Sequence, residues 1–138
     1  MSAWQYKGKP FLKAPDEMFG FIYVITDKDT GRKYIGRKVF RFKVSRPALK
    51  GSKRRRVSYK ESNWATYWGS CDVLLRDIKE YGEEAFTREI LMLCKTRREH
   101  TYAEVEMQVK ADVLTAKLPS GQWAYFNGNI MNRFFREG

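Results

Sequence analysis

The apolar positions of this chain fall in short runs whose spacing changes along its length. Phe21 to Ile25 is continuously apolar and rich in β-branched and aromatic residues, as a buried strand requires. Asp27 to Gly31 supplies turn residues, and Lys33 to Phe40 resumes as a second strand, so the pair reads as a β-hairpin. Phe40, Phe42 and Val44 alternate with Arg41, Lys43 and Ser45, which could prolong the second strand until Pro47 and Gly51 break it. Val73, Leu74, Leu75, Ile78 and Tyr81 recur at helical spacing. They predict a helix over 72–81, capped by Ser70 and terminated at Gly82. Phe86 to Cys94 begins with alternation and ends fully apolar, predicting a third strand at or near the centre of the sheet. Val105, Met107, Val109, Val113 and Leu114 suggest a second helix over 102–114, beginning at Thr101 or Glu99.

The flanks are less regular. Residues 1–19 contain Pro10 and Pro15 and read as an irregular N-terminal arm anchored by Trp4, Tyr6 and Phe11. After the turn Pro119-Ser120-Gly121, the tail from Trp123 to Phe135 is aromatic. The order hairpin, helix, strand, helix, aromatic tail predicts an α+β fold, with a three-stranded antiparallel sheet flanked by helices. With 138 residues, no repeat and no low-complexity linker, one domain over 1–138 is expected.

Charge changes this picture most. The net charge is +11, and residues 37–60 hold eleven basic residues and no acidic one. The sixteen remaining bases balance the sixteen acids, so one segment carries the whole excess. A clustered positive segment is the footprint of a polyanion-binding surface, and DNA is the expected partner; a solvated basic loop is the plainer alternative. Arg37, Lys43, Arg46, Lys53, Arg54, Arg55, Arg56 and Lys60 are its candidate DNA-binding residues. No apolar run is long enough to span a membrane and no secretory core opens the chain, so a cytoplasmic protein is expected. Cys71 and Cys94 lack metal spacing and read as buried, reduced thiols. His100 is the only histidine, which argues against a zinc site and a Ser-His or Cys-His triad.

The hairpin carries one tyrosine per strand in the pattern Phe21-Ile22-Tyr23, ten residues, Tyr34-Ile35-Gly36. This resembles the signature of the GIY-YIG nucleases, with Phe21 where that family usually has glycine. Trp68-Gly69-Ser70, Lys79-Glu80-Tyr81-Gly82, Phe86 and Glu89-Ile90 further resemble small phage-type, free-standing (Seg-like) homing endonucleases. The resemblance spans about residues 20–130. It implies a metal-dependent DNA endonuclease leaving 5′-phosphate and 3′-hydroxyl ends, in a bacterial or phage-infected cell. One departure stands out. Relatives follow the Tyr-Ile-Gly strand with a short helix bearing a catalytic arginine, whereas here an extended basic insertion over 37–60 takes its place.

Phosphodiester hydrolysis needs an oriented or deprotonated water, positive charge on the phosphate and a stabilised leaving oxygen. The resemblance assigns water and phosphate handling to Tyr23 and Tyr34, without saying which is the base; two core tyrosines are the alternative. It assigns a single metal-binding glutamate, carrying Mg²⁺ or Mn²⁺, to the helix after the third strand. Glu104 is the candidate, Glu106 its rival, and two exposed helix charges the plain alternative. Lys38 and Arg41, then Arg37 and Arg46, are candidates for the cation, because Lys38 shares a strand face with Tyr34. Tyr125-Phe126-Asn127 resembles the family's C-terminal element, so Asn127 is expected to orient a water or hold a tyrosine ring, with Asn129 and Asn132 as rivals. The competing reading of the whole is a non-catalytic nucleic-acid-binding module on the same scaffold. In that reading Phe40, Phe42, Tyr59, Trp64 and Tyr67 would stack on bases. A structural RNA-associated protein is a third reading, without support from the tyrosine pair.

Overall fold

A computed structural model describes residues 3–137. Among these, nine strands and two α-helices follow in order: β1 (Trp4–Tyr6), β2 (Lys9–Phe11), β3 (Gly20–Asp27), β4 (Lys33–Val39), β5 (Arg41–Arg46), β6 (Arg56–Glu61), α1 (Asp72–Tyr81), β7 (Phe86–Cys94), α2 (Arg97–Lys110), β8 (Asn129–Ile130) and β9 (Phe134–Phe135). The architecture is α+β, with a central sheet of five strands rather than three, in the order β2-β1-β7-β3-β4. The expected hairpin β3–β4 pairs antiparallel, and β3 also pairs antiparallel with β7, which is the middle strand.

The two additional strands come from the supposed irregular arm. Lys7 and Gly8 take positive φ between β1 and β2, the conformation of a tight hairpin turn. β1 then joins β7 in parallel. Pro10 is tolerated because β2 is an edge strand, where a missing N–H breaks no ladder.

The sheet buries a cluster on each face. On one, Trp4, Phe21, Tyr23 and Ile25 pack with Trp64, Trp68, and Leu74 and Ile78 of α1. On the other, Ile22, Ile35 and Cys94 meet Ala103 of α2, Val113 and Ile130. Alternation along β3 sends successive side chains to opposite clusters, so this strand is buried on both faces, as its unbroken apolar run requires. A register shift between Ile22 and Tyr23 pairs them with Met92 and Ile90, leaving Leu91 as the extra residue of a bulge in β7.

Both helices differ in detail from expectation. Cys71, not Ser70, holds the N-cap position of α1. Leu74 and Ile78 are buried, while Val73, Leu75 and Tyr81 face solvent. α2 starts five residues before the expected Tyr102. The Thr96 hydroxyl accepts from the Glu99 amide at 3.1 Å, and the Glu99 carboxylate reaches back to the Lys95 amide at 2.8 Å. Apolar periodicity misplaced this start because the inward face of α2 is partly polar: His100 and Gln108 are buried while Val109 is exposed. Cys94 is buried but Cys71 is half-buried, and both are free thiols.

Strand β4 is an edge, and the tail covers it. The Lys33 amide donates to the Ala124 carbonyl at 2.9 Å and the Phe126 amide to the Lys33 carbonyl at 2.7 Å. β4 does not run on past Val39 into β5. Phe40 is fully buried and interrupts it, and β5 pairs with β6 in a separate two-stranded sheet. Among the described residues no helix is long and apolar enough to cross a membrane.

Candidate active site

A cleft of about 750 Å³ opens over the β4 edge, between α1, α2 and the tail. Tyr23, Tyr34, Arg37, Glu104 and Asn127 all line it. Residues remote in sequence meet here because β4 exposes its edge to both faces of the sheet. The tyrosines arrive from the aromatic face, and Glu104 arrives on α2 from the other.

Tyr23 and Tyr34 lie with ring centroids 6.2 Å apart and planes 39° to each other. Gly36, opposite Tyr23 in the ladder, makes the approach possible. A Cβ on it would fall 2.5 Å from the Tyr23 hydroxyl and 2.9 Å from Tyr34 Cε2, closer than atoms can pack. Gly69, at φ +90°, lies against the same two rings. Tyr67 stands edge-on to Tyr23 at 6.1 Å. Its backbone is held by Arg88, whose Nη1 donates to the Tyr67 carbonyl at 2.7 Å from between the rings of Trp4 and Trp68.

Neither phenol is activated in this state. Burial pushes Tyr23 well above its ordinary value, with Tyr34, Tyr67 and Glu104 adding to the rise. Burial likewise pushes Tyr34 up to about 12, against a lowering hydrogen bond with Ser70. Lys38 shares the strand face with Tyr34, but its Nζ lies 4.1 Å over the Tyr67 ring, and burial lowers its pKa.

Arg37 is the cation in the cleft. Its Nε sits 3.3 Å from Glu104 Oε1 and its Nη1 donates to Thr101 Oγ1 at 2.6 Å. Thr101 and Glu104 are three apart on α2, hence on one face, and together seat the guanidinium. Burial raises the Glu104 carboxyl above the usual carboxylate range and Arg37 pulls it back. Glu106 points elsewhere and pairs with Lys110 at 3.5 Å.

Arg41 is not in the cleft. It bonds the carbonyls of Ala14 and Pro15, each at 3.2 Å, and lies 3.6 Å from Asp16, so it ties the N-terminal segment to the root of β5. Arg46 sits at the far end of β5, and Lys43, Arg56 and Lys60 lie on the same hairpin. Lys53, Arg54 and Arg55 form its distal loop and last turn before β6.

Asn127 is buried beside β4, and its amide meets both backbone groups of one residue. Oδ1 accepts from the Ile35 amide at 3.1 Å and Nδ2 donates to the Ile35 carbonyl at 2.8 Å. It thus acts as a surrogate strand that fixes Tyr34-Ile35-Gly36. Gln108 adds a second donor to the same carbonyl at 2.9 Å. Asn129 caps the turn at Asn132 instead. His100, on the buried face of α2, has Nε2 3.1 Å from the Phe21 carbonyl oxygen.

Sequence reasoning missed Tyr67, Ser70, Thr101 and Gln108 as cleft or support residues. A signal for Gln108 was present, since His100, Glu104 and Gln108 recur every fourth residue and form one polar stripe on α2.

A tyrosine pair packed over Gly36 at a sheet edge thus shares one cleft with the carboxylate of Glu104 on α2. The family model described as "Putative endonuclease segE, GIY-YIG domain" matches residues 4–130, and the chain belongs to this SegE-type GIY-YIG family. No curated protein and no solved structure matches the chain.

Proposed function

We propose that the protein is a divalent-metal-dependent DNA endonuclease of homing-endonuclease type, acting through the cleft over β4. The observation that carries this reading is the convergence of Tyr23, Tyr34, Arg37 and Glu104 on one cavity from three separate elements. A fold-only role would not require a half-buried carboxylate, a guanidinium and two phenols around open space.

The residues present fit Mg²⁺ or Mn²⁺ held by Glu104, with Asp72 the other carboxylate lining the cleft. Among the described residues no group of three or more His, Cys, Asp or Glu could form a cage. A hard ion that keeps its waters and takes phosphate oxygens needs only one or two carboxylates. Bound there, the metal would supply charge stabilisation to the leaving oxygen.

Arg37 is the cation assigned to the scissile phosphate, in place of Lys38 and Arg41. Its seat on Thr101 and Glu104 gives it a fixed starting position. Tyr34 is the candidate that orients and accepts a proton from the attacking water, because it is less deeply buried than Tyr23. Tyr23, at 1% exposure, positions Tyr34 and the strand. The Glu104 charge is one cause of both raised phenols, so pairing it with a cation moves them toward reactivity. Asn127 holds the β4 backbone in register. The basic segment 37–60 binds the duplex backbone.

The test is digestion of supercoiled plasmid with Mg²⁺, beside EDTA and a Glu104→Ala protein. Cutting by the native protein alone, with DNA binding kept by the variant, supports the reading. Binding without cutting in Mg²⁺ and Mn²⁺, on plasmid and linear duplexes alike, selects the non-catalytic module.

A further inference from the structure

The hairpin of β5 and β6 stands apart from the central sheet and forms a ladder only with itself. Every residue of β6 is exposed. A two-stranded ribbon is about 5 Å between strand axes, and the B-DNA major groove, about 12 Å wide, admits a ribbon of that kind. Six residues per strand reach about 20 Å, or about six base-pair steps.

The ribbon has two unlike faces. Arg41, Lys43 and Tyr59 lie on one, which turns at its root toward the segment of Asp16 to Phe19. The other carries Arg46 directly opposite Arg56, with Lys60 further along and no acid. Like charges placed opposite one another destabilise a ladder, so this face carries a cost that a polyanion removes. Arginine is also the side chain that reads guanine O6 and N7 in two-point contact.

We infer that the β5–β6 ribbon enters the major groove of duplex DNA with its Arg46 and Arg56 face toward the base edges. This rests on the DNA reading above and goes beyond it, because it makes the ribbon a reading element rather than a backbone clamp.

The ribbon is also fixed relative to the cleft. Only Phe40 separates β4 from β5. It is fully buried, its amide donates to the Phe19 carbonyl at 3.0 Å, and its carbonyl accepts from the Ser62 amide at 2.8 Å. From Arg37 to Arg46 is nine residues, at most about 30 Å. Groove contact and phosphate attack are thus held within about nine base pairs of each other.

The experiment measures binding in EDTA, so it does not depend on cutting. Three duplex preparations of one sequence are compared: unmodified, carrying bulky 5-substituted pyrimidines, and saturated with a netropsin-type minor-groove ligand. The 5-position lies in the major groove. The expected result is a Kd raised at least about tenfold by the 5-substituents and unchanged by the minor-groove ligand. Arg46→Ala/Arg56→Ala, on exposed positions, should bind more weakly and lose that difference between duplexes. Three results overturn the proposal: equal binding to plain and 5-substituted DNA, a penalty that persists in the double variant, or no binding to any duplex. If the native protein binds as expected but never cuts with metal, the nuclease reading fails while the ribbon assignment stands.

Discussion

Strands β4 and β5 are separated by one residue, yet they are built on opposite principles. On β4, Tyr34, Ile35 and Gly36 are held by buried partners: the Tyr23 ring, the Asn127 amide and Gln108. On β5 and β6 most side chains meet solvent, and the ladder between the two strands does most of the holding. A reacting constellation has to keep its geometry within a fraction of an ångström, which takes packing on every side. A surface that meets a polyanion needs charge and reach, and its partner supplies the missing contacts. Changes in the two regions should therefore separate chemistry from affinity.

The largest effect belongs to the cleft. Glu104→Gln keeps shape but removes the charge that would hold the metal. It should lower cleavage by about 10³-fold, the equivalent of several kcal/mol, while binding in EDTA stays near native. Next is Tyr34→Phe, expected to cost about 10²-fold in single-turnover cleavage. Its pH signature is sharper than its size. A phenol at about 12 is protonated across the neutral range, so its base form grows about tenfold per pH unit there. The native rate should climb with pH from 6 to 9, and the climb should vanish in the variant. A native plateau below pH 8 would remove Tyr34 as the base.

Gly36→Ala tests packing. The new methyl must displace the Tyr23 hydroxyl, and an overpacked core typically loses about 1–3 kcal/mol. Thermal melting should drop and cleavage with it. Gly51→Ala, in the ribbon loop, meets nothing within 4 Å, so its cost is backbone strain at φ +88° alone, and melting should fall slightly while cleavage stays near native. The smallest effect is on the ribbon's charges taken singly. Each of Lys53, Arg54 and Arg55 replaced by Gln should reduce the slope of log K against log salt by at most about 0.9, because one phosphate fewer is neutralised, while Arg56→Gln, on the reading face of the ribbon, should change the slope least. An unchanged slope in the fourfold variant would exclude this loop from the interface.

The same contrast explains what the sequence made legible. The β3–β4 hairpin, α1 and β7 were readable because each buries an apolar pattern whose period its own backbone dictates. Glu104 was singled out only through resemblance, since the polar stripe of His100, Glu104 and Gln108 marks a helix face without saying which of the three meets the cleft. β1 and β2 were missed because three-residue strands hold too few positions to show alternation, and Pro10 pointed away from a strand. Arg37 ranked behind Lys38 and Arg41 for a different reason. On the strand it points away from Tyr34, and only the docking of α2 against β4 brings it to Glu104. Arg41 looked catalytic from charge and proximity, but the carbonyls of Ala14 and Pro15 were invisible in one dimension. The bonds of Asn127 to β4 were not legible, because its partner Ile35 lies 92 positions away.

The central claim is that the cleft does the chemistry and the ribbon supplies the grip. It is tested most directly by measuring Kd and saturating single-turnover cleavage on one duplex for two proteins. These are Glu104→Gln and the fourfold Gln variant of Lys53, Arg54, Arg55 and Arg56. The account predicts near-native Kd without cutting for the first, and weakened Kd with near-native cutting at saturation for the second. Native cutting by Glu104→Gln, or a saturated rate in the fourfold variant as low as that of Glu104→Gln, would contradict it.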